Sequence, residues 1–222
     1  EAVVWDHPVD GLAAPARGFA IDTPLSVVVA DPSGLSAARA DGTRIMLPPA
    51  DAAHPYHPIL PTLPALHLSL RDTNPLSMVE DHPDKEGNAV SLGGQPLGAW
   101  LAALREALAL IEVALPEWWA ELPESLCRLL PVGFEEQVHL SASYAEAPGL
   151  AWLTLHPDPL TMAEAIVHET QHSRLNTLMW LDPVLHNGRR EWTTSPVRPD
   201  LRPLSGVLLA AHAFVPVAAM HA

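Results

Sequence analysis

The chain has 222 residues, 48% of them apolar, and carries 26 acidic against 12 basic residues for a formal net charge of −14. That length buries a substantial core in one or two compact units, and so high an apolar content excludes a disordered protein. The charge excludes a nucleic-acid binder, because no Lys/Arg stripe exists to neutralise phosphates.

The 24 prolines are about twice the ordinary share, and more than half fall in the first hundred residues, where long irregular connections are expected. Cys127 is the only cysteine, which rules out an internal disulfide or a cysteine metal cluster and leaves a structural thiol near a helix end. The apolar run Leu204–Ala219 is too short to cross a membrane and contains His212 and Pro216. No signal-like basic N-terminus is seen, so the expectation is a cytoplasmic protein with no membrane partner. The start at Glu1 rather than methionine implies that preceding residues were lost or omitted.

In chain order, residues 1–50 read as short extended pieces, with a strand over Leu25–Val29 and a turn at Asp41-Gly42 leading into Thr43–Leu47. His54 and His57 lie in a proline-broken stretch and His82 in a charged one, so all three read as surface histidines. Ala65–Arg71 alternates through Leu66, Leu68 and Leu70 as a strand, delivering Arg71, Asp72, Thr73 and Asn74 at its exit, in a turn or a pocket wall. Leu97–Leu115 carries the helical stripe Leu101, Leu104, Ala107, Leu108 and Ile111. Glu117–Leu130 continues as helix, divided near Pro123, with Trp118 and Trp119 packing between helices. Phe134–Ser143 and Leu150–Leu155 form an antiparallel hairpin joined by Tyr144–Gly149. On the first of these strands His139, Ser141 and Ser143 share a face, which looks either at a pocket or at solvent.

Thr161 and Glu164 make a capping-box pattern opening a helix through Trp180, stiffened at its entry by Pro157-Asp158-Pro159. Within it stands His168-Glu169-Thr170-Gln171-His172. Histidines four apart on a helix point to one side and can hold one metal ion, and the glutamate beside them suits proton transfer or ligand orientation; this is the H-E-x-x-H zinc-hydrolase signal. His212, inside the apolar helix Leu204–Ala222 kinked near Pro216, is the preferred third ligand, since a histidine there needs a polar partner. Glu191 is the alternative in the style of a zinc protease, and His186 lies on a turn-prone stretch. His221 faces away from His212 on a regular helix. Such a ligand set takes zinc for hydrolysis or Fe(II) for oxygen chemistry. The latter needs an arginine for the distal carboxylate of a keto acid, and Arg198 and Arg202 stand shortly before the His212 helix.

The residues Ala163–Asn176, Arg198-Pro199-Asp200-Leu201-Arg202-Pro203-Leu204-Ser205-Gly206 and Ala211-His212-Ala213-Phe214, with Ser141-Ala142-Ser143 and Ala147-Pro148-Gly149 upstream, resemble a family. It is that of the HExxH-type peptide β-hydroxylases found beside radical-SAM enzymes in ribosomal peptide natural-product pathways. The resemblance covers about residues 138–219. It implies Fe(II)- and 2-oxoglutarate-dependent hydroxylation, with O₂, of a side-chain β-carbon of a ribosomally made precursor peptide. It implies His168, His172 and His212 as iron ligands and Glu169 as a supporting pocket residue rather than a base. Arg202, or else Arg198, becomes the co-substrate anchor, and Ser141 and Ser143 become pocket residues near the co-substrate. In the family a Trp-Arg pair often precedes an Asp-Pro-Arg-Pro-like run. Here Trp192 stands well apart from Arg198, and Leu201 replaces the proline.

The expected fold is α+β, a predominantly helical metal-site core with short antiparallel strands and a hairpin near residues 136–156. Residues 1–95 form a Pro-rich strand-and-loop region packed on this core, and residues 96–222 form the catalytic region. The competing functions are a zinc metallopeptidase using Glu169 as general base and a non-catalytic, metal-stabilised peptide-binding protein. The peptide is expected to bind by adding a strand to the hairpin. The sequence does not assign an oligomeric state.

Overall fold

The computed structural model describes residues 3–5, 12–14, 19–21, 25–31, 34–46, 59–60, 63–70, 72, 74 and 90–222. His54, His57, His82, Arg71 and Thr73, singled out above, lie outside them. Short strands open the chain: β1 (Val3–Trp5), β2 (Leu12–Ala14), β3 (Phe19–Ile21), β4 (Leu25–Asp31), β5 (Gly34–Arg39) and β6 (Arg44–Met46). β1, β4, β5 and β6 pair in that order as an antiparallel sheet, and β2 pairs with β3. The expected Asp41-Gly42 turn joins β5 to β6, with Gly42 at φ +84° and Thr43 N donating to Asp41 Oδ1 over 2.9 Å.

The second sheet is built from β7 (Ile59–Leu60), β8 (Leu63–Leu68), β9 (Arg128–Phe134), β10 (Ser141–Ala142) and β11 (Leu150–Leu155). Its order is β10-β11-β9-β8-β7. β11 and β8 both run parallel to β9, while β10 and β7 close the edges antiparallel. The expected antiparallel hairpin is present but short. Of the anticipated strand 134–143, Ser141 and Ala142 pair antiparallel with β11 while Phe134 belongs to β9 and pairs with Leu155, and the main partner of β11 is β9, whose first residues were expected to be helix.

Helices α1 (Leu97–Ala114), α2 (Pro116–Ser125), α3 (Pro159–Leu181) and α4 (Leu204–Ala219) complete the fold, with a small antiparallel ribbon of β12 (Trp192–Thr194) and β13 (Leu201–Pro203) ahead of α4. α1 matches its predicted stripe, burying Leu104, Ala107, Leu108 and Ile111 together with Trp100. α2 passes through Pro123 and stops at Ser125. Pro123 falls in the last turn, and the helix ends two residues after it.

Every residue of β11 is buried, because alternate side chains feed two different cores. Ala151, Leu153 and Leu155 pack under α1, α2 and α3, in one cluster with Leu66 and Leu68 of β8. Leu150 and Trp152 face the other way, onto Leu130, Ala142 and Ala147. The polar residues at the exit of β8 serve this second face: Trp152 Nε1 donates to Asp72 Oδ2 over 3.0 Å, and Asn74 N donates to Asp72 Oδ1 over 2.9 Å. They make a turn that ties β8 to β11. Among the described residues, no helix is long and apolar enough to cross a membrane.

Candidate metal centre

α3 begins two residues before the predicted capping box. Asp158 is its N-cap, accepting from Thr161 N (3.1 Å), Leu160 N (3.3 Å) and Thr161 Oγ1 (2.7 Å). Thr161 therefore donates to the cap instead of being it. Pro159 at the first helical position settles the start, since its fixed φ suits the turn and its missing N–H would be unsatisfied there anyway. These bonds, led by the Thr161 hydroxyl, hold the Asp158 carboxyl below the usual carboxylate range.

From Met162 to Leu175 the helix is largely buried, and several of its polar residues find partners inside the fold, although Gln171 Oε1 is buried without one. Thr170 Oγ1 donates to Ile166 O over 2.6 Å, and Ser173 Oγ accepts from Gly149 N over 2.9 Å. Gly149 sits at φ +82°, a backbone state that favours glycine, and its carbonyl accepts from both Cys127 N and Arg128 N. One glycine thus ties α3 to the start of β9.

Glu169 is 4% exposed. Ser141 Oγ donates to its Oε1 and Ser143 Oγ to its Oε2, each over 2.7 Å. The face shared by His139, Ser141 and Ser143 therefore looks inward at α3, not at solvent. Both serines, anticipated as co-substrate contacts, are engaged with the glutamate.

One helical turn joins His168 to His172, whose rings stand edge to face with centroids 4.4 Å apart and planes at 82°. Phe214 of α4 packs against His168, with ring centroids 4.8 Å apart. A cleft of about 220 Å³ opens beside His168, lined also by His139, Ser141, Glu164, Phe214 and Val217. His139 Nε2 lies 2.9 Å from Thr154 O, and its ring edge approaches His156 at 6.1 Å. Burial, aided by the His156 charge and opposed by the Thr154 carbonyl, pushes His139 down to about 4. Burial also lowers His168. Imidazoles that resist protonation in this way are held in the form that binds metal.

His212 comes from α4, which packs along α3. Its Nδ1 atom is buried without a hydrogen-bond partner, and burial lowers the pKa of the ring, opposed by a backbone hydrogen bond with Gln171 and aided to a lesser degree by the Arg174 charge. An imidazole nitrogen buried in this state needs an acceptor, a donor or a metal ion. The donor chemistry of His168, His172 and His212 thus fits a divalent transition metal. Their geometry fits it in part: the first two rings adjoin, yet among the described residues no three His, Cys, Asp or Glu side chains converge closely enough to hold an ion.

None of the other candidates lines the cleft. Glu191 is exposed, its carbonyl accepting from Leu204 N over 2.8 Å. His186 is exposed and lines a different cavity. His221 does not turn away from α3 as expected: it lies just past the end of α4, and its Nε2 is 2.5 Å from Oε1 of Glu164, which lines the cleft. Arg202 lies on β13 with its Nε 2.8 Å from Asp200 Oδ2, in a geometry that leaves Nε without an aligned hydrogen bond. Arg198 is exposed between β12 and β13. Neither arginine lines the cleft beside His168. Phe214 and Val217, which do, escaped the sequence reading because their apolar character marked them only as helix-packing residues.

Compared with protein-family models and with curated proteins, the chain matches none.

Proposed function

We propose that this chain is an Fe(II)- and 2-oxoglutarate-dependent oxygenase that hydroxylates a side-chain β-carbon of a ribosomally made precursor peptide. The reading rests on the resemblance in the α3 and α4 segments, and one observation carries it beyond that resemblance. Glu169, the residue that would make the motif a peptidase, is buried with both carboxylate oxygens accepting hydrogen bonds from serines. A general base must reach the proton it removes, and Glu169 is shielded from solvent with both oxygens directed at serines of the β10 segment. Glu169 is instead a positioning residue that fixes α3 against the β10 edge.

His168, His172 and His212 would hold the iron. When bound with 2-oxoglutarate, it supplies O₂ activation and oxidation of a C–H bond. The reaction balances as substrate C–H plus 2-oxoglutarate plus O₂ giving substrate C–OH, succinate and carbon dioxide. Arg202 is the co-substrate anchor, with Arg198 the second choice: its planar fork suits the distal carboxylate, which would replace Asp200 as its partner. Phe214 and Val217 supply an apolar wall that limits water beside His168. β10 lies at the sheet edge but is two residues long, which offers an added peptide strand little ladder to pair with. The same reading makes the protein cytoplasmic and a partner of a radical-SAM enzyme in one peptide-modifying pathway.

Turnover of 2-oxoglutarate to succinate by the reconstituted protein tests the proposal. It is expected to require both Fe(II) and O₂ and to vanish in His168→Ala; succinate formation unaffected by that substitution sinks the reading.

A further inference from the structure

We propose that a second cavity on the α3–α4 seam is a docking site for an acidic, apolar peptide segment. The pairing of Glu164 with His221 and of His168 with Phe214 shows that α3 and α4 run antiparallel. Following the seam past His172, a cavity of about 480 Å³ opens between Met179 and Trp180 of α3, Val184 and the Arg189-Arg190 pair beyond it, and Leu209 of α4. This volume is in the range of sites that take a large side chain with its neighbours.

Two features of the lining specify the occupant. Its apolar part is open to solvent, Trp180 at 71% and Val184 at 54%, a cost to a monomer that a partner would remove. Its rim carries Arg189 and Arg190, both exposed and neither in an ion pair among the described residues. Elsewhere the surface is dominated by carboxylates, 26 acidic residues against 12 basic in the whole chain, so acidic peptides are repelled in general and attracted here. Two adjacent guanidiniums beside an apolar hole read a carboxylate next to an aliphatic or aromatic side chain.

The loop that presents them is fastened rather than loose. Gly188 O and Glu191 O accept from Ser205 N and Leu204 N, the first N–H groups of α4, and Asn187 O accepts from Arg190 N and Glu191 N. The arginines are thereby held over the start of α4. Met179 lies about 16 Å along α3 from His168, which an extended chain spans in roughly five residues. A segment docked in the cavity would deliver a residue about that far along its chain to the histidine cleft; this last step, unlike the docking itself, rests on the proposed function.

The test is fluorescence anisotropy with a labelled synthetic peptide alternating glutamate with leucine and phenylalanine, against its counterpart with lysine at each glutamate, using the full chain without metal. The glutamate peptide is expected to bind, with the lysine peptide about tenfold weaker. The variant R189E/R190E, at two exposed positions with folding checked by circular dichroism, is expected to invert that preference, and Trp180→Ala to weaken both peptides. Absence of binding, equal binding of the two peptides, or a preference untouched by R189E/R190E overturns the proposal. So does a dimer in sedimentation that R189E/R190E dissolves and the glutamate peptide does not. Because the readout needs no iron, glutamate-peptide binding without oxygenation would refute the proposed function alone, and oxygenation without this binding would refute the docking site alone.

Discussion

Ser141 Oγ donates to Glu169 Oε1 over 2.7 Å, and Ser143 Oγ donates to Oε2 over the same distance. A carboxylate this buried is costly without such donors, and bonds to a charged acceptor contribute about 1.5–3 kcal/mol each. Ser141→Ala with Ser143→Ala is expected to lower stability by about 3 kcal/mol or more, read from urea unfolding midpoints. Unchanged midpoints would mean that the pair does not hold the glutamate.

The same geometry separates two chemistries through Glu169→Gln. Glutamine keeps the shape and can still bond both hydroxyls, so 2-oxoglutarate turnover should stay within about tenfold of the parent. A peptidase with its general base at this position would instead lose peptide cleavage by roughly 10²–10⁴-fold on the same substitution.

Metal loading should divide the histidines. His168→Ala and His172→Ala are expected to abolish the absorption bands of bound Co(II), and His212→Ala to weaken them. Retention of full Co(II) affinity by His212→Ala would reassign the third ligand.

His139 links the cleft to acid stability. Its pKa is about 4 in the folded chain against an ordinary value of 6.5, so the unfolded chain takes up the proton first. The stabilisation is complete above about pH 6.5 and is lost as pH falls toward 4, with a full value on the order of 3 kcal/mol. His139→Gln should flatten the unfolding free energy across that window. An equally steep pH dependence in the variant would place the effect elsewhere.

At the entry to the helix, Asp158→Ala removes the acceptor for two backbone N–H groups. A cost of about 1 kcal/mol is expected, seen as a fall of roughly 2–4 °C in melting temperature. No change would leave Pro159 as the sufficient start signal.

Local pattern exposed much of this arrangement. The stripe of α1, the run containing the histidine motif, the strand at Leu25 and the α+β class were all legible, because each follows from spacing within a dozen residues. β9 was not. Arg128-Leu129-Leu130 continues the apolar look of α2, and Pro131 and Gly133 argue against a strand. What makes it one is parallel pairing with β8 and β11, from distant parts of the chain. Pro131 is tolerated because β8 pairs with β9 only at Arg128 and Leu129. At the site, the spacing of Ser141 and Ser143 put them on one face but not on a partner; only the packing of α3 against the β10 edge reveals Glu169 as that partner. Arg198 and Arg202 owed their candidacy to neighbourhood in sequence, and the ribbon that carries them holds Arg202 beside Asp200.

The central claim is that the His168–His172 pair serves oxygen chemistry on a peptide. Its most direct test is anaerobic reconstitution with Fe(II), followed by mass spectrometry of the precursor peptide with and without 2-oxoglutarate and air. A gain of one oxygen atom, dependent on all three additions and lost in His168→Ala, is the predicted result. Cleavage of the peptide into two fragments without 2-oxoglutarate would contradict it.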